Sequence, residues 1–179
     1  MSIKLIQGMK SAQDLLRKAD DLKQKIAKYC VDLDFETPTY GTADQQKEKL
    51  KEWLQSHHDI IKEVERLRLA ISRTNLATMV TMEIGGKQVI KPITAWIMRR
   101  GVKGSGLAGQ EQKAYAALTD KNLKDGQAKV TTGDTIAVKV RRYYDPSERD
   151  NKTELYRSEP AIIDANLEVV NAITELLEE

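Results

Sequence analysis

The feature that most constrains this chain is the spacing of apolar residues between positions 50 and 71. Leu50, Trp53, His57, Ile60, Val64, Leu67 and Ile71 follow one another in strictly alternating steps of three and four. That spacing keeps one stripe of an α-helix facing a single partner, as at a coiled-coil seam. A second stripe precedes it, at Leu5, Met9, Ala12, Leu16, Ala19, Leu22, Ile26 and Tyr29. The spacing predicts helices over about 3–31 and from Thr42 or Asp44 to about residue 78. The stretch 32–42, with Pro38 and Gly41, breaks both patterns. It reads as a connector, with a short extended piece at 31–35. Two long helices joined by about ten residues fold back antiparallel. Beyond Ile71 the seam turns polar at Thr74, Asn75 and Thr78, so a different partner must cover that end.

The expected fold class is therefore mainly α. It is a long antiparallel, coiled-coil-like helical hairpin with two short β-hairpins and a C-terminal helix packing on the stem. The organisation expected is 1–78 for the helical hairpin, 79–145 for β-hairpins, short helices and a glycine-rich loop, and 146–179 for C-terminal helices. Gly85-Gly86 separates two alternating segments and tolerates positive φ at both turn positions. A short helix from Pro92 or Thr94 to Arg100 follows, then the glycine-rich 101–109 as the loosest stretch of the chain. A helix from about Gln110 to Leu123 comes next, and then a strand pair, 127–132 with 135–142, around Gly133-Asp134. Glu159-Pro160 is expected to end one helix and start the last.

With 31% charged and 5% aromatic residues, the composition suits long two-faced helices with much surface and little core. Part of the apolar surface is then expected to lie against other subunits. No apolar run approaches the roughly 20 residues that span a bilayer, and the start of the chain lacks a signal-peptide layout. With Cys30 as its only cysteine, the chain is expected to be cytoplasmic or part of a virion, without membrane contact and not secreted by a signal peptide. The charge is segregated. Residues 87–142 hold twelve basic and four acidic side chains, whereas 145–179 hold three basic and ten acidic. Opposite segments of this kind attract each other, within a chain or between neighbours.

The sequence Ile71-Ser72-Arg73-Thr74-Asn75, followed by Thr78, a short hairpin and Arg99-Arg100, resembles the septicolysin-like family of small bacterial proteins of unknown role. The closing stretch from Ile163 to Leu176 is similar to the same family's last helix. The resemblance implies helical hairpins with short strands and a tendency to oligomerise. Here Ala172 follows Asn171, where relatives usually place Trp. The general character of the chain also looks like that of virion proteins of tailed bacteriophages.

No complete catalytic constellation is present, and the chain is not expected to be an enzyme or to need a cofactor or metal. Gly104-Ser105-Gly106-Leu107-Ala108-Gly109 spells G-x-G-x-x-G, but a helix precedes it where a dinucleotide site needs a strand. His57 and His58 point about 100° apart on one helix, which does not suit a shared metal. Cys30 reads as a small buried residue. Asp32, Asp34 and Glu36 read as a solvated connector, lacking the length and central glycine of a calcium loop. Arg99, Arg100, Lys103, Lys139, Arg141 and Arg142, with Tyr143 and Tyr144, are the candidate contact residues. Cations interleaved with aromatics suit either an acidic protein surface or a nucleic acid. Arg73, Thr74 and Asn75 are expected to form a polar network bracing the hairpin.

The leading expectation is a homo-oligomeric structural or assembly protein, such as a capsid-associated or head–tail component of a bacteriophage. The alternative is a nucleic-acid-binding module using the basic middle, with specific function concentrated in residues 79–145.

Overall fold

A computed structural model describes residues 3–102, 105–129 and 133–177 of the 179-residue chain. Five helices and four strands follow in the order α1 (Leu5–Tyr29), α2 (Ala43–Ala77), β1 (Met79–Ile84), β2 (Lys87–Pro92), α3 (Ile93–Arg100), α4 (Leu107–Ala116), β3 (Gly126–Lys129), β4 (Thr135–Val138) and α5 (Pro146–Ile173). The fold is mainly helical with two small antiparallel β-hairpins, as the periodicity implies. The chain forms two compact units. One comprises residues 1–78 and 169–179, the other residues 79–168.

In the first unit α1 and α2 pair as a helical hairpin. Thr42 caps α2 in a reciprocal box: its Oγ1 accepts from the Gln45 amide at 3.3 Å, and Gln45 Oε1 accepts from the Thr42 amide at 2.9 Å. The seam is deepest at Val64, Leu67, Ala70 and Thr74 on α2 and at Leu5, Gly8, Ala12 and Ala19 on α1. Towards the connector the seam is only half-buried, from Leu50 to Ile60. There Tyr40 closes an edge-to-face cluster with Tyr29 and Trp53, at centroid distances of 5.3 and 5.2 Å. Gln46 Nε2 donates to the Tyr29 carbonyl at 2.8 Å and ties the two helices together. The expected extended piece at 31–35 is instead a turn, with the Glu36 amide donating to the Leu33 carbonyl at 2.9 Å.

The chain's end closes the open end of this hairpin. The Leu5 amide donates to the Thr174 carbonyl at 2.9 Å, and the Leu176 amide donates to the Ile3 carbonyl at 2.8 Å. Leu176 lies over Gly8, where a methyl group would meet its Cδ2 at 2.9 Å. The first of these bonds uses the Leu5 amide, a donor that the first turn of α1 cannot satisfy within the helix.

In the second unit β1 and β2 pair antiparallel, Met79 opposite Pro92 and Ile84 opposite Lys87. Gly85 and Gly86 turn the chain with φ of 58° and 75°. Val80 and Met82 point inward, towards a core containing Ile93, Trp96, Ala108, Ile163 and Leu167. The Trp96 indole N–H donates to the Val80 carbonyl at 3.0 Å. β3 and β4 pair from Gly126 opposite Val138 to Lys129 opposite Thr135, with β4 ending at Val138 rather than at residue 142, and residues 130–132 of the expected first strand lie outside the described residues.

Two local expectations are corrected, the bounds of α4 and the break at Pro160. Of the glycine stretch after α3, residues 103 and 104 lie outside the described residues, and the glycines on either side of them meet closely. Gly101 (φ 62°) and Gly106 face each other so closely that a methyl group on either would overlap backbone atoms of the other strand of the corner. Only glycine permits that approach. α4 therefore starts at Leu107, and it ends at Ala116 rather than Leu123, where Lys121 and Asn122 turn left-handed (φ 50° and 62°). Finally, Pro160 lies inside α5 and does not divide it. Proline removes one helical hydrogen bond, but burial of Glu159, Ile163 and Leu167 holds the helix on either side of it.

Candidate functional site

The predicted contact residues lie at two places. Arg99 and Arg100 occupy the last turn of α3, and Lys139 and Arg141 to Tyr144 follow β4. Lys103 lies outside the described residues.

Arg99 turns inward. Its Nε and Nη2 donate to the two carboxylate oxygens of Glu159, the latter at 2.7 Å, while Nη1 and Nη2 reach Glu111 at 3.4 and 3.5 Å. Glu159 is 1% exposed. This is a bidentate pair in a desolvated setting, the arrangement for which a guanidinium is suited. The Glu159 hydrogen bonds push the Arg99 pKa upward, against the opposing effect of burial. Glu111 feels burial most strongly, which raises its pKa. The hydrogen bonds from Tyr156 and Arg99 overcome that, and its pKa is lowered. Tyr156 is pushed up to about 12, first by burial and then by its bond to Glu111. A cavity of about 220 Å³ lies alongside, lined by Ile84, Val89, Trp96 and Leu155 with the Arg99–Glu159 pair. Both Glu159 oxygens accept from Arg99.

Arg100 Nη1 donates to Asp164 at 2.8 Å. Arg142 makes a bidentate pair with Asp120 at 2.8 and 2.6 Å, and the Tyr144 hydroxyl donates to the same carboxylate at 3.0 Å. These bonds, Arg142 first, hold Asp120 down at about 2. Arg149 stacks over the Tyr144 ring at 5.6 Å and donates to the Leu118 carbonyl at 3.1 Å. A shallow hollow of about 340 Å³ lies here, between residues 117–123 and 140–144. Lys139, Arg141 and Tyr143 remain exposed, Tyr143 to 88%. The segregated charge is thus partly matched inside the chain, where basic α3 meets carboxylates of α4 and α5.

Of the expected polar network, Thr74 is the buried member. Its hydroxyl donates to the Ala70 carbonyl at 2.8 Å and accepts the Leu177 amide at 2.9 Å. Asn75 is half-buried and Arg73 is exposed. The partner that takes over where the seam turns polar is the chain's own end. Cys30 is exposed rather than buried. It sits at the end of α1, with its thiol against the Ala27 carbonyl at 3.4 Å. His57 is half-buried on the seam and His58 is exposed. Among the described residues, no group of three or more His, Cys, Asp or Glu could hold a metal ion, and no helix is long and apolar enough to cross a membrane.

One surface escaped the sequence reading. On α2, outside the seam, Leu54, Ile61, Leu69 and Leu76 are 51%, 40%, 51% and 63% exposed. At 100° per residue they fall within an arc of about 80°. Ile61 and Leu69, with Leu16 of α1 and the edge of Val64, line a groove of about 360 Å³ flanked by Glu65, Arg68 and Ser72. The signal lay in the sequence as a second, sparser apolar stripe, masked by the stricter seam beside it.

No protein-family model and no curated protein matches this chain. Among solved structures it is similar to a functionally unknown conserved protein from Corynebacterium diphtheriae, with a TM-score of 0.56 and 16% identity, over 99% of this chain and 100% of the other. At that identity the likeness shows a shared fold and no more.

Proposed function

We propose that this chain is a non-enzymatic, homo-oligomeric structural or assembly protein. The observation that carries the proposal is the aligned apolar stripe on α2. Single exposed apolar side chains are common on any protein surface. Four on one helix face, continuous with a groove, mark an interaction surface. The lean composition supports the same reading, because long paired helices leave apolar area to be covered by neighbours. Light scattering on size-separated protein at micromolar concentration is the test. An oligomer is expected, and a stable folded monomer overturns the proposal.

The setting we propose is the particle of a tailed bacteriophage, at the capsid surface or the head–tail junction. It rests on the charge-rich, helix-rich, disulfide-free character of the chain. Mass spectrometry of purified particles tests it, and absence of the protein from them refutes it. The resemblance to septicolysin-like proteins at 71–78 and 163–176 offers a bacterial setting, with oligomerisation common to both. The nucleic-acid alternative has weaker support. Arg99, Arg100 and Arg142 are engaged by carboxylates of their own chain, and a phosphate would have to displace those partners.

A further inference from the structure

Resting on the oligomeric reading, we propose that the tip of the helical hairpin, Val31 to Glu36, adds as a strand to the edge of β4 in a second copy of this chain. The two segments have matching patterns. Val31-Asp32-Leu33-Asp34-Phe35-Glu36 alternates apolar and acidic residues without exception. From Ile136 to Arg141 the second segment alternates too, with Ile136, Val138 and Val140 set between Ala137, Lys139 and Arg141. A period of two is the pattern of a strand with one apolar face. Both segments stand uncovered in the chain itself. Val31, Leu33 and Phe35 are 82%, 56% and 79% exposed, and Asp32, Asp34, Glu36, Lys139 and Arg141 are exposed as well. Among the described residues, Asp32 and Asp34 have no cationic partner, and Lys139 and Arg141 have no anionic one. There too, β3 and β4 make a sheet of two strands, so β4 has an edge without a neighbouring strand.

Charge and pattern point to one alignment. Asp32-Leu33-Asp34 and Lys139-Val140-Arg141 each carry like charges two residues apart around one aliphatic side chain. Residues level on neighbouring strands lie on the same face of a sheet. Setting Leu33 level with Val140 therefore sets both aspartates against the two cations, whether the strands run parallel or antiparallel. On the apolar face Leu33 meets Val140, and either Val31 or Phe35 meets Val138. A slip of one residue would set each aspartate against a valine or another apolar position, and the alternation disfavours it. The carboxylates of α5 stand on a helix and cannot follow this period of two. In the single chain residues 33–36 form a turn, in which the Glu36 amide donates to the Leu33 carbonyl at 2.9 Å and the Leu33 amide donates to Glu36 Oε2 at 3.4 Å. A turn makes no use of the alternation, and main-chain bonds to β4 replace these two on docking. The contact is far smaller than the roughly 20–30 residues a side of a stable interface. It therefore acts between copies that the α2 stripe already brings together.

Level residues on neighbouring strands have Cα atoms about 4.5–5.5 Å apart, inside the roughly 4.4–6.8 Å that a disulfide spans. The experiment uses the full chain with Cys30→Ser, which removes the exposed native thiol. Leu33→Cys and Val140→Cys are made as separate proteins, mixed and treated with mild oxidant, so that any link joins two chains. The mixture is expected to give a covalent heterodimer in clear excess over a homodimer of either. Adding Lys139→Glu/Arg141→Glu to the Val140→Cys protein should lower the yield roughly tenfold, and adding Asp32→Lys/Asp34→Lys to the Leu33→Cys protein should restore it. Circular dichroism shows that each variant is folded. If Val140→Cys, at a half-buried position, loses helix content, Arg141→Cys replaces it against Asp32→Cys and Asp34→Cys, one of which is level with it in either strand direction. An oligomer by light scattering with no heterodimer link, or a link indifferent to the charge changes, overturns this inference and leaves the oligomeric reading standing. A monomer overturns both.

Discussion

Replacing Arg99 with methionine isolates the energetics of the second unit. Methionine keeps most of the aliphatic packing and removes the guanidinium. Glu159, 1% exposed, then keeps its charge without the guanidinium, while Glu111, 44% exposed, stays open to water. Breaking a buried ion pair from one side costs about 3–5 kcal/mol, because the remaining charge keeps its desolvation penalty and loses its partner. For a chain of this length that corresponds to a fall in Tm of about 6–20 °C. Glu159→Gln is milder. It keeps an acceptor for Arg99, and Arg99 retains Glu111 and 17% exposure of its own side chain, so a cost of about 1–3 kcal/mol is expected. The double variant Arg99→Met/Glu159→Leu removes both charges and should recover to within roughly 1 kcal/mol of the parent, since apolar packing can replace a buried pair. Urea denaturation of the four proteins, with thermal melts in parallel, gives the cycle. A cost below about 1 kcal/mol for Arg99→Met, or a double variant no more stable than that single one, refutes the reasoning.

Other consequences follow from the same geometry. Thr74→Val keeps the shape and strands the Leu177 amide. A loss of about 1–3 kcal/mol is expected, with faster hydrogen exchange at Leu177 as its local signature. Gly101→Ala combines a positive φ with backbone overlap at Gly106 and should cost at least about 2 kcal/mol by urea denaturation. The Asp120 cluster sets a pH window. A carboxylate whose folded pKa is depressed contributes stability that is present above its ordinary range and lost as pH falls through the folded value. The contacts of Arg142 and Tyr144 with Asp120 should therefore persist at pH 4 and weaken as pH falls through about 2. NMR shifts of the Tyr144 ring would follow this, and a ring already released at pH 4 contradicts it.

Sequence periodicity made the two long helices, the Gly85-Gly86 hairpin and the α3 turn legible, because each depends on local pattern and turn chemistry. Three features were hidden because they depend on tertiary contact. Pro160 reads as a helix stop, yet α5 runs through it on the strength of burial at Glu159, Ile163 and Leu167. Gly101 and Gly106 serve close backbone contact with each other's side of a corner, which no local pattern in the sequence reveals. The basic middle reads as a surface for an outside partner, but Glu159 and Asp164, distant in sequence, come to Arg99 and Arg100. Charge counts along a chain do not reveal which charges the fold brings together. Thr74 was legible as a polar interruption of the seam, but its partner, the Leu177 amide, was not.

The central claim is that the hairpin's second apolar stripe holds copies of this chain together. Its most direct test is light scattering across a concentration series for the parent and for Ile61→Glu/Leu69→Glu, both changes on exposed positions of α2. The parent should be a dimer or larger at micromolar concentration, and the variant a monomer with unchanged helix content by circular dichroism. A parent that stays monomeric, or a variant that assembles as the parent does, contradicts it.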